Sequence, residues 1–327
     1  MHRIATSRRA LLGAGLAPLL APRALRAQGA YPGNRPVSLI IPYAAGGIPD
    51  VFGNAITQGL QERLGGTFVM DHKPGASTTL GTRQAARARP DGTTLVFAGN
   101  ATFTITPFVL RSAGYDPSKD FTWLGLTGIA VYLFVAHPRW ESLEHVLAAA
   151  KRRPNEISYA TWGVGSSAHL GTFDLARRAE VEMIHVPYNG TAAALIDVSA
   201  GRVDFMLSTL APAKPHMEAG RVRALGIATA QRFRPLPDLP TVAEQGFPDY
   251  IVPNWTGVAA PAGLPDPIAS ALDSALAATF SDERLLARLE PLGITASPTG
   301  GRYMREQVAR DLAANADLVR RAGITPE

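Results

Sequence analysis

The stretch Val37-Ser-Leu-Ile-Ile-Pro-Tyr-Ala-Ala-Gly-Gly-Ile-Pro-Asp50 decides how the chain folds. Val37, Leu39, Ile40 and Ile41 form a short apolar run of the kind a buried strand needs. Gly46-Gly47 allows a sharp turn with no Cβ in the way. Pro49 suits the first turn of a helix, where its missing N–H costs little, and Asp50 puts negative charge where the helix dipole favours it. Val51, Ala55, Leu60 and Leu64 then recur at roughly helical spacing. The reading is strand, glycine turn, helix, with the helix N-terminus leaving the carboxyl end of the strand. Free N–H groups at such a point make an anion site; an ordinary strand–turn–helix of an α/β domain is the other reading.

Outward from this unit the pattern repeats. Thr67–Met70 reads as a strand, Asp71–Thr79 as a polar loop, Leu80–Arg87 as a helix, and Thr93–Phe97 as a strand with Gly99-Asn-Ala-Thr102 at its carboxyl end. Phe121–Phe134 reads as extended chain leaving the first unit, with a strand at Val131–Val135. A second series follows: helix Leu143–Lys151, strand Ile157–Ala160, the turn Trp162-Gly-Val-Gly-Ser-Ser, and a helix to Ala179. Strands at Met183–Val186, Val203–Leu207, Val222–Ile227 and Trp255–Ala260 and a helix at Thr191–Ala200 complete it. The last sixty residues read as helices at Ile268–Thr279, Glu283–Glu290 and Tyr303–Ala322, covering the first half. Alternating strands and helices predict parallel sheets with helices on their faces. The chain is expected to cross between the halves near residues 132 and 255.

The N-terminus carries Ser7-Arg8-Arg9-Ala10-Leu11-Leu12, a twin-arginine pattern, then a mild apolar stretch to Ala21. Residues 1–27 therefore read as a bacterial export signal, against the alternative of a basic tail. They hold Arg3, Arg8, Arg9, Arg23 and Arg26 and no acid, so the formal net charge of +5 resides in them and the remainder is near neutral. Nucleic-acid binding loses its electrostatic warrant. No later apolar run reaches the roughly 18 residues of a membrane span. The chain has no cysteine, and its seven histidines show no metal-ligand spacing. No metal and no cofactor are expected.

Two motifs compete for a chemical role. Gly163-Val-Gly-Ser-Ser-Ala168 fits G-x-G-x-x-A of a dinucleotide fold, but the acid wanted at the end of the next strand is missing, since that strand ends at Val186-Pro187. An anion loop built from Gly165, Ser166 and Ser167 is the better reading. Ser166, His169 and Asp174 are hydrolase residue types, yet there is no G-x-S-x-G elbow and His169 follows Ser166 by one helical turn. No catalytic residue is assigned. Asp204 reads equally as a ligand contact or a structural acceptor, and His185 as a core histidine.

A set of ordered motifs resembles one family. Tyr31-Pro32, Pro36, Pro42-Tyr43…Gly46-Gly47…Asp50, Lys73-Pro-Gly75, Pro90-Asp-Gly92 and Gly165-Ser-Ser-Ala-His-Leu170 begin the series. His185-Val-Pro-Tyr-Asn-Gly190, Gly201-Arg-Val-Asp204, Leu239-Pro-Thr-Val-Ala-Glu-Gln-Gly246 and Ala260-Pro-Ala-Gly263 continue it. Together they resemble the substrate-binding proteins of tripartite tricarboxylate transporters, also called Bug receptors.

The resemblance implies an α/β two-domain periplasmic binding protein of type II-like architecture, with two Rossmann-like domains and a ligand cleft between them. Domain 1 would comprise residues 28–131 and 256–327, and domain 2 residues 132–255. It implies a monomeric, non-enzymatic receptor that holds a small carboxylate and serves a membrane permease. Carried over by position, the first-domain contacts are Tyr43, Ala45, Gly46, Gly47, Asp50, Asn100 and Thr102, with Asp50 ordering its loop. The second-domain contacts are Gly165, Ser166, Ser167, His169, Tyr188 and Asp204. This chain departs from the family at Ile48-Pro49, where hydroxyl residues are usual, and at Ser208, where an acid is common. The first change is expected to add apolar surface to the site. The second disfavours a ligand with an ammonium group. The ligand implied is a carboxylate with an apolar or aromatic body.

Overall fold

The structure, a computed structural model, describes residues 31–43, 45, 48–188 and 190–326. The export-signal reading of residues 1–27 lies outside them, as do Gly46 and Gly47. In chain order the elements are β1 (Val37–Ile41), α1 (Ile48–Leu64), β2 (Phe68–His72), α2 (Thr79–Ala86), β3 (Thr94–Gly99), α3 (Asn100–Thr104) and α4 (Thr106–Val109). Then come β4 (Phe121–Ala130), β5 (Tyr132–Ala136), α5 (Leu143–Arg152), β6 (Ser158–Thr161), α6 (Ser167–Ala179), β7 (Ile184–Pro187), α7 (Thr191–Ser199), β8 (Phe205–Thr209), α8 (Leu210–Glu218) and β9 (Arg223–Ile227). The chain closes with β10 (Trp255–Pro261), α9 (Asp266–Thr279), α10 (Glu283–Leu289), β11 (Ile294–Gly300) and α11 (Gly301–Arg321).

The strands form two sheets, ordered β11-β4-β10-β3-β1-β2 and β7-β6-β8-β5-β9. Both are mixed rather than purely parallel. β1 runs parallel to β2 and β3, and β6 parallel to β7 and β8. β10 is antiparallel to β3 and β4, and β5 antiparallel to β8 and β9. The reason is the crossing of the chain. β4 leaves the first sheet at its inner edge, so β5 starts at that edge of the second sheet and runs away from it. β10 returns through the same edge and opposes β3. At the crossing the Ala130 N–H donates to the Asn254 carbonyl and the Ala228 N–H to the Tyr132 carbonyl, 2.9 Å each.

Each sheet is buried on both faces. Val37, Leu39, Ile41, Phe52, Phe97 and Leu276 fill one side of the first sheet, and Ile40, Val96, Phe103, Trp123, Trp255 and Met304 the other. Phe134, Trp140, Tyr159 and Tyr250 fill one side of the second sheet, and Leu133, Val198, Met206 and Ile227 the other. Two faces buried explain why these strands read as near-continuous apolar runs rather than alternating ones.

Four elements depart from the sequence reading. β11 occupies a stretch read as a helix-to-helix connection. Its Pro298 falls where the register against β4 shifts, between Ala296 and Thr299, a place where an edge strand tolerates proline. α8 contains Pro212 and Pro215, which mask its helical period. α3 and α4 are too short to show a period. α11 covers the first sheet as expected, anchored where the Trp255 indole N–H donates to Asp311 at 2.6 Å. Its far end does more, and also meets α6 of the second lobe.

Candidate functional site

The carboxyl ends of β1, β2 and β3 and those of β6, β7, β8 and β9 face each other across the crossing. Between them lies a cleft of ≈ 720 Å³. Helices α1, α6, α7 and α8 all begin at these strand ends, so their N-terminal dipoles add positive potential there. Among the described residues, those lining the cleft include no Asp, Glu, Lys, Arg or His.

One wall is a chain of hydroxyls. The Gly99 N–H donates to the Tyr43 hydroxyl at 3.1 Å. Tyr43 lies 3.2 Å from the Thr102 hydroxyl, which lies 2.9 Å from that of Thr78. Thr78 also bonds the Ser77 carbonyl. Burial raises the Tyr43 pKa, outweighing its bonds to Thr102 and Gly99, so the phenol keeps its proton. The chain of hydroxyls can be polarised in two directions. With Tyr43 donating inward it ends on the Ser77 carbonyl. Reversed, with Thr78 and Thr102 donating toward Tyr43, the phenol O–H is released to an acceptor in the cleft. Ala76, Ser77 and Thr78 hold this loop in successive left-handed conformations, φ 45°, 50° and 75°. Such conformations are costly for residues with a Cβ, and nothing in the sequence pattern signals them.

The opposite wall is Trp162 to Ser166 with Pro187 and Tyr188. Ser166 caps α6: its hydroxyl donates to the Gly163 carbonyl at 2.7 Å and accepts the His169 N–H at 3.2 Å. Beneath the loop, His169 and His185 stack with ring centres 3.9 Å apart. The Gly165 N–H donates to His169 Nδ1 at 3.1 Å, and His185 Nε2 lies 2.7 Å from the Thr161 hydroxyl. Burial, with the neighbouring His185 second, lowers His169 to about 4. The pair is therefore neutral at pH 7 and acts as a rigid support for the loop. Tyr188 lies in the wall, and its hydroxyl donates to Asp197 at 2.6 Å.

The third component is apolar: Val109 and Leu110 after β3, Val164 on the glycine loop, and Ile324 beyond α11. Val164 is 56% exposed, a branched apolar side chain left facing the open cleft. The lobes meet at this point. A Cβ built on Gly165, whose φ is +71°, would lie 2.8 Å from Val109 Cγ1. An ion pair ties them at another place, with Arg234 Nη2 2.6 Å from Glu290 Oε1.

Of the residues assigned from the sequence, Tyr43, Thr102, Gly165, Ser166 and Tyr188 come together in the cleft. Gly165 contributes its backbone surface, but its N–H is committed to His169. Others lie elsewhere. Asn100 donates through Nδ2 to the Pro253 carbonyl at 2.9 Å, and with Ser167 faces a separate cavity of ≈ 40 Å³ near the crossing. His169 lies under the loop. Asp50 sits 3.5 Å from His72 Nε2, whose Nδ1 is 3.1 Å from the Tyr43 carbonyl, so it bears on the loop rather than on the cleft. Ala45 is exposed and outside the lining.

Asp204 is corrected from ligand contact to structural acceptor. It precedes β8, at the end of the strand remote from the cleft. Its carboxylate accepts from the Ser158 amide (2.8 Å), the Ser158 hydroxyl (2.9 Å), the Trp140 indole (3.1 Å) and Arg139. Burial alone would raise its pKa; the Ser158 and Arg139 bonds together hold it below the usual carboxylate value. Two further expectations change. Ile48 packs against the first-lobe core and, with Pro49, stays out of the cleft lining, so the apolar surface comes from Val109, Leu110, Val164 and Ile324 instead. Ser208 is fully buried opposite Leu133 in β5 and is not among the residues that line the cleft. The Ser166, His169 and Asp174 set forms no triad, because Asp174 is paired with Arg177 and Arg178.

Comparisons with known proteins agree with this architecture. The family described as tripartite tricarboxylate transporter family receptor matches residues 53–318. A Pseudomonas sp. (strain P51) protein described as "UPF0065 protein in tcbD-tcbE intergenic region" is 33% identical over 290 residues, 88% of this chain and 86% of that one. The periplasmic binding protein BugD superposes with a TM-score of 0.76 at 30% identity, covering 91% of this chain and all of BugD. The R. palustris protein Rpa4515, solved with adipate, superposes at 0.80 with 31% identity over 91% of this chain and all of that one. No helix among the described residues is long and apolar enough to cross a membrane. With two α/β lobes around a cleft and a family match over most of its length, the chain belongs to the tripartite tricarboxylate transporter receptor family, and like its relatives of that family it is a solute-binding receptor.

Proposed function

We propose that this receptor captures a small organic acid, a carboxylate with an apolar or aromatic body, in the cleft between its lobes. The carboxylate lies against Tyr43, Thr102, Ser77, Thr78 and the helix N-termini, and the body against Val109, Leu110, Trp162, Val164 and Ile324. The observation that carries the reading is the composition of the cleft: hydroxyl donors on one side, branched apolar side chains on the other, and no charged side chain among the described lining residues. A carboxylate bonded by several neutral donors gains about 1.5–3 kcal/mol per bond, and a preorganised neutral site avoids the cost of a buried unpaired cation. An ammonium group would find no carboxylate partner there. The neighbour solved with adipate supports a carboxylate as the ligand class.

In this reading residues 1–27 direct export to the periplasm. Residues 28–131 with 256–327 and residues 132–255 form the two domains. The closed, monomeric receptor delivers its ligand to a permease of the tripartite type.

The test is thermal unfolding of residues 28–327 against mono-, di- and tricarboxylates, aromatic acids and amino acids. A ligand at about 100 times its Kd stabilises by about 2.7 kcal/mol. The expected result is a midpoint shift for acids with an apolar or aromatic body, none for amino acids, and a shift reduced in Tyr43→Phe. A shift for amino acids alone, or for no acid, would reject the reading.

A further inference from the structure

The segment after α11 carries a role that the sequence motifs do not indicate. α11 ends in a Schellman turn: the Ile324 N–H donates to the Val319 carbonyl at 3.2 Å and the Gly323 N–H to the Arg320 carbonyl at 3.2 Å. Gly323, at φ +65°, supplies the left-handed residue this turn requires. The turn reverses the chain across the helix end and carries Ile324 and Thr325 into the cleft lining. The segment is tied down beyond them, where Arg111 Nε donates to the Pro326 carbonyl at 3.0 Å. Ile324 is also packed from behind. Ile105 after α3, Leu170 of α6 and Val319 of α11 form a small buried cluster, and Ala101, Phe108, Val109 and Ile324 pack against it. This cluster joins both lobes and α11, so the segment is held at the mouth by elements from each side.

Ala101 and Thr102 are consecutive residues of α3, and both line the cleft. Thr102 belongs to the hydroxyl chain, and Ala101 packs on the same cluster as Ile324. A ligand whose carboxylate meets Thr102 therefore extends its body along Ala101 toward Val109 and Ile324. We propose that Ala322–Pro326 is a third wall of the cleft and that Ile324 is a specificity-determining residue, setting how long and how bulky the ligand body can be. This rests on the carboxylate-binding reading above.

The test is titration calorimetry of residues 28–327 with propionate, hexanoate, phenylacetate and 2-naphthoate, in wild type, Ile324→Ala and Arg111→Ala. One methylene left unburied weakens binding about fourfold, which is about 0.8 kcal/mol. Ile324→Ala should weaken hexanoate and phenylacetate about tenfold, leave propionate within twofold, and improve 2-naphthoate relative to hexanoate. Arg111→Ala, which loosens the anchor without touching the cleft, should show the same ranking at smaller amplitude. The proposal is overturned if both variants keep the wild-type ranking, whether affinities stay constant or fall by one common factor. If wild type binds none of the four acids, the carboxylate reading itself fails and this inference with it; a wild type that binds while both variants keep its ranking sinks only the inference.

Discussion

Replacing Gly165 by alanine tests whether the contact between the lobes is part of the binding equilibrium. Two separate costs arise from one methyl group. The first is backbone: at φ +71° an alanine pays about 1 kcal/mol that glycine avoids, whether the lobes are open or closed. The second is steric: the new Cβ lies 2.8 Å from Val109 Cγ1 and 3.1 Å from Val109 Cβ, on the opposite lobe. Separating the lobes relieves that overlap, so this cost falls on the closed form alone. Overpacking of this kind costs about 1–3 kcal/mol; taking about 1.5 kcal/mol, the Kd for a ligand that binds the closed form rises about tenfold. The backbone cost appears instead as a lower melting midpoint of the free protein, by roughly 1.5–2 °C for a chain of this size. Calorimetry and thermal melts of Gly165→Ala, Val109→Ala and the double variant separate the two. In the double variant the approaches to Cγ1 and Cγ2 are gone and only the 3.1 Å approach to Cβ remains, so most of the steric cost is relieved while the backbone cost persists, and affinity returns to within about threefold of Val109→Ala while the midpoint stays low. An unchanged Kd in Gly165→Ala, or a double variant no better than the product of the singles, would refute the claim that the lobes close at this contact.

Two other outcomes follow from the titratable groups. His169 titrates near 4 when folded and near 6.5 when unfolded, so the unfolded chain binds more protons between these values, and stability is present above pH 6.5 and lost as pH falls toward 4. The loss attributable to this group is about 3 kcal/mol, and urea midpoints from pH 7 to 4 should fall less steeply in His169→Gln. The groups facing it, Tyr159 and His185 from β6 and β7, are neutral at pH 7. Asp204→Asn removes the charge and turns one of the two acceptor oxygens that serve Ser158, Trp140 and Arg139 into a donor NH2, and should cost about 2–4 kcal/mol in urea unfolding. Because the carboxylate is remote from the cleft, the ligand Kd should stay within twofold of wild type; a large change in Kd would return Asp204 to the binding site.

Much of the fold is legible in the chain, because strands buried on both faces leave apolar runs such as Val37–Ile41 that survive any local noise. Positions of glycine turns after those strands also fix where helices begin, and hence which edge of each sheet carries the cleft. The site is legible only where a residue lies at a strand's carboxyl end, as Tyr43, Thr102, Ser166 and Tyr188 do. Asp204 misleads because motif order says nothing about which end of β8 it occupies; it stands before the strand, and the far end holds the cleft. Ser77 and Thr78 are hidden because their role depends on left-handed backbone that their residue types disfavour. Val109, Leu110 and Ile324 are hidden because they come together only in the folded chain, from positions more than two hundred residues apart.

The crossing of the chain also constrains how the receptor assembles. Strands β5 to β9 come from residues 132–227, so the second sheet can form as soon as that stretch is available. The first sheet cannot. β10 lies between β3 and β4, pairing with both, although it is made more than one hundred residues after β4 begins. Until β10 arrives, β3 and β4 each present an open edge, the kind of surface that pairs with other chains. Closing so long a loop delays the pairing that completes the sheet. The topology thus predicts ordered folding, the inserted lobe first and the outer lobe last, with the interval between them the time of greatest exposure to misassembly.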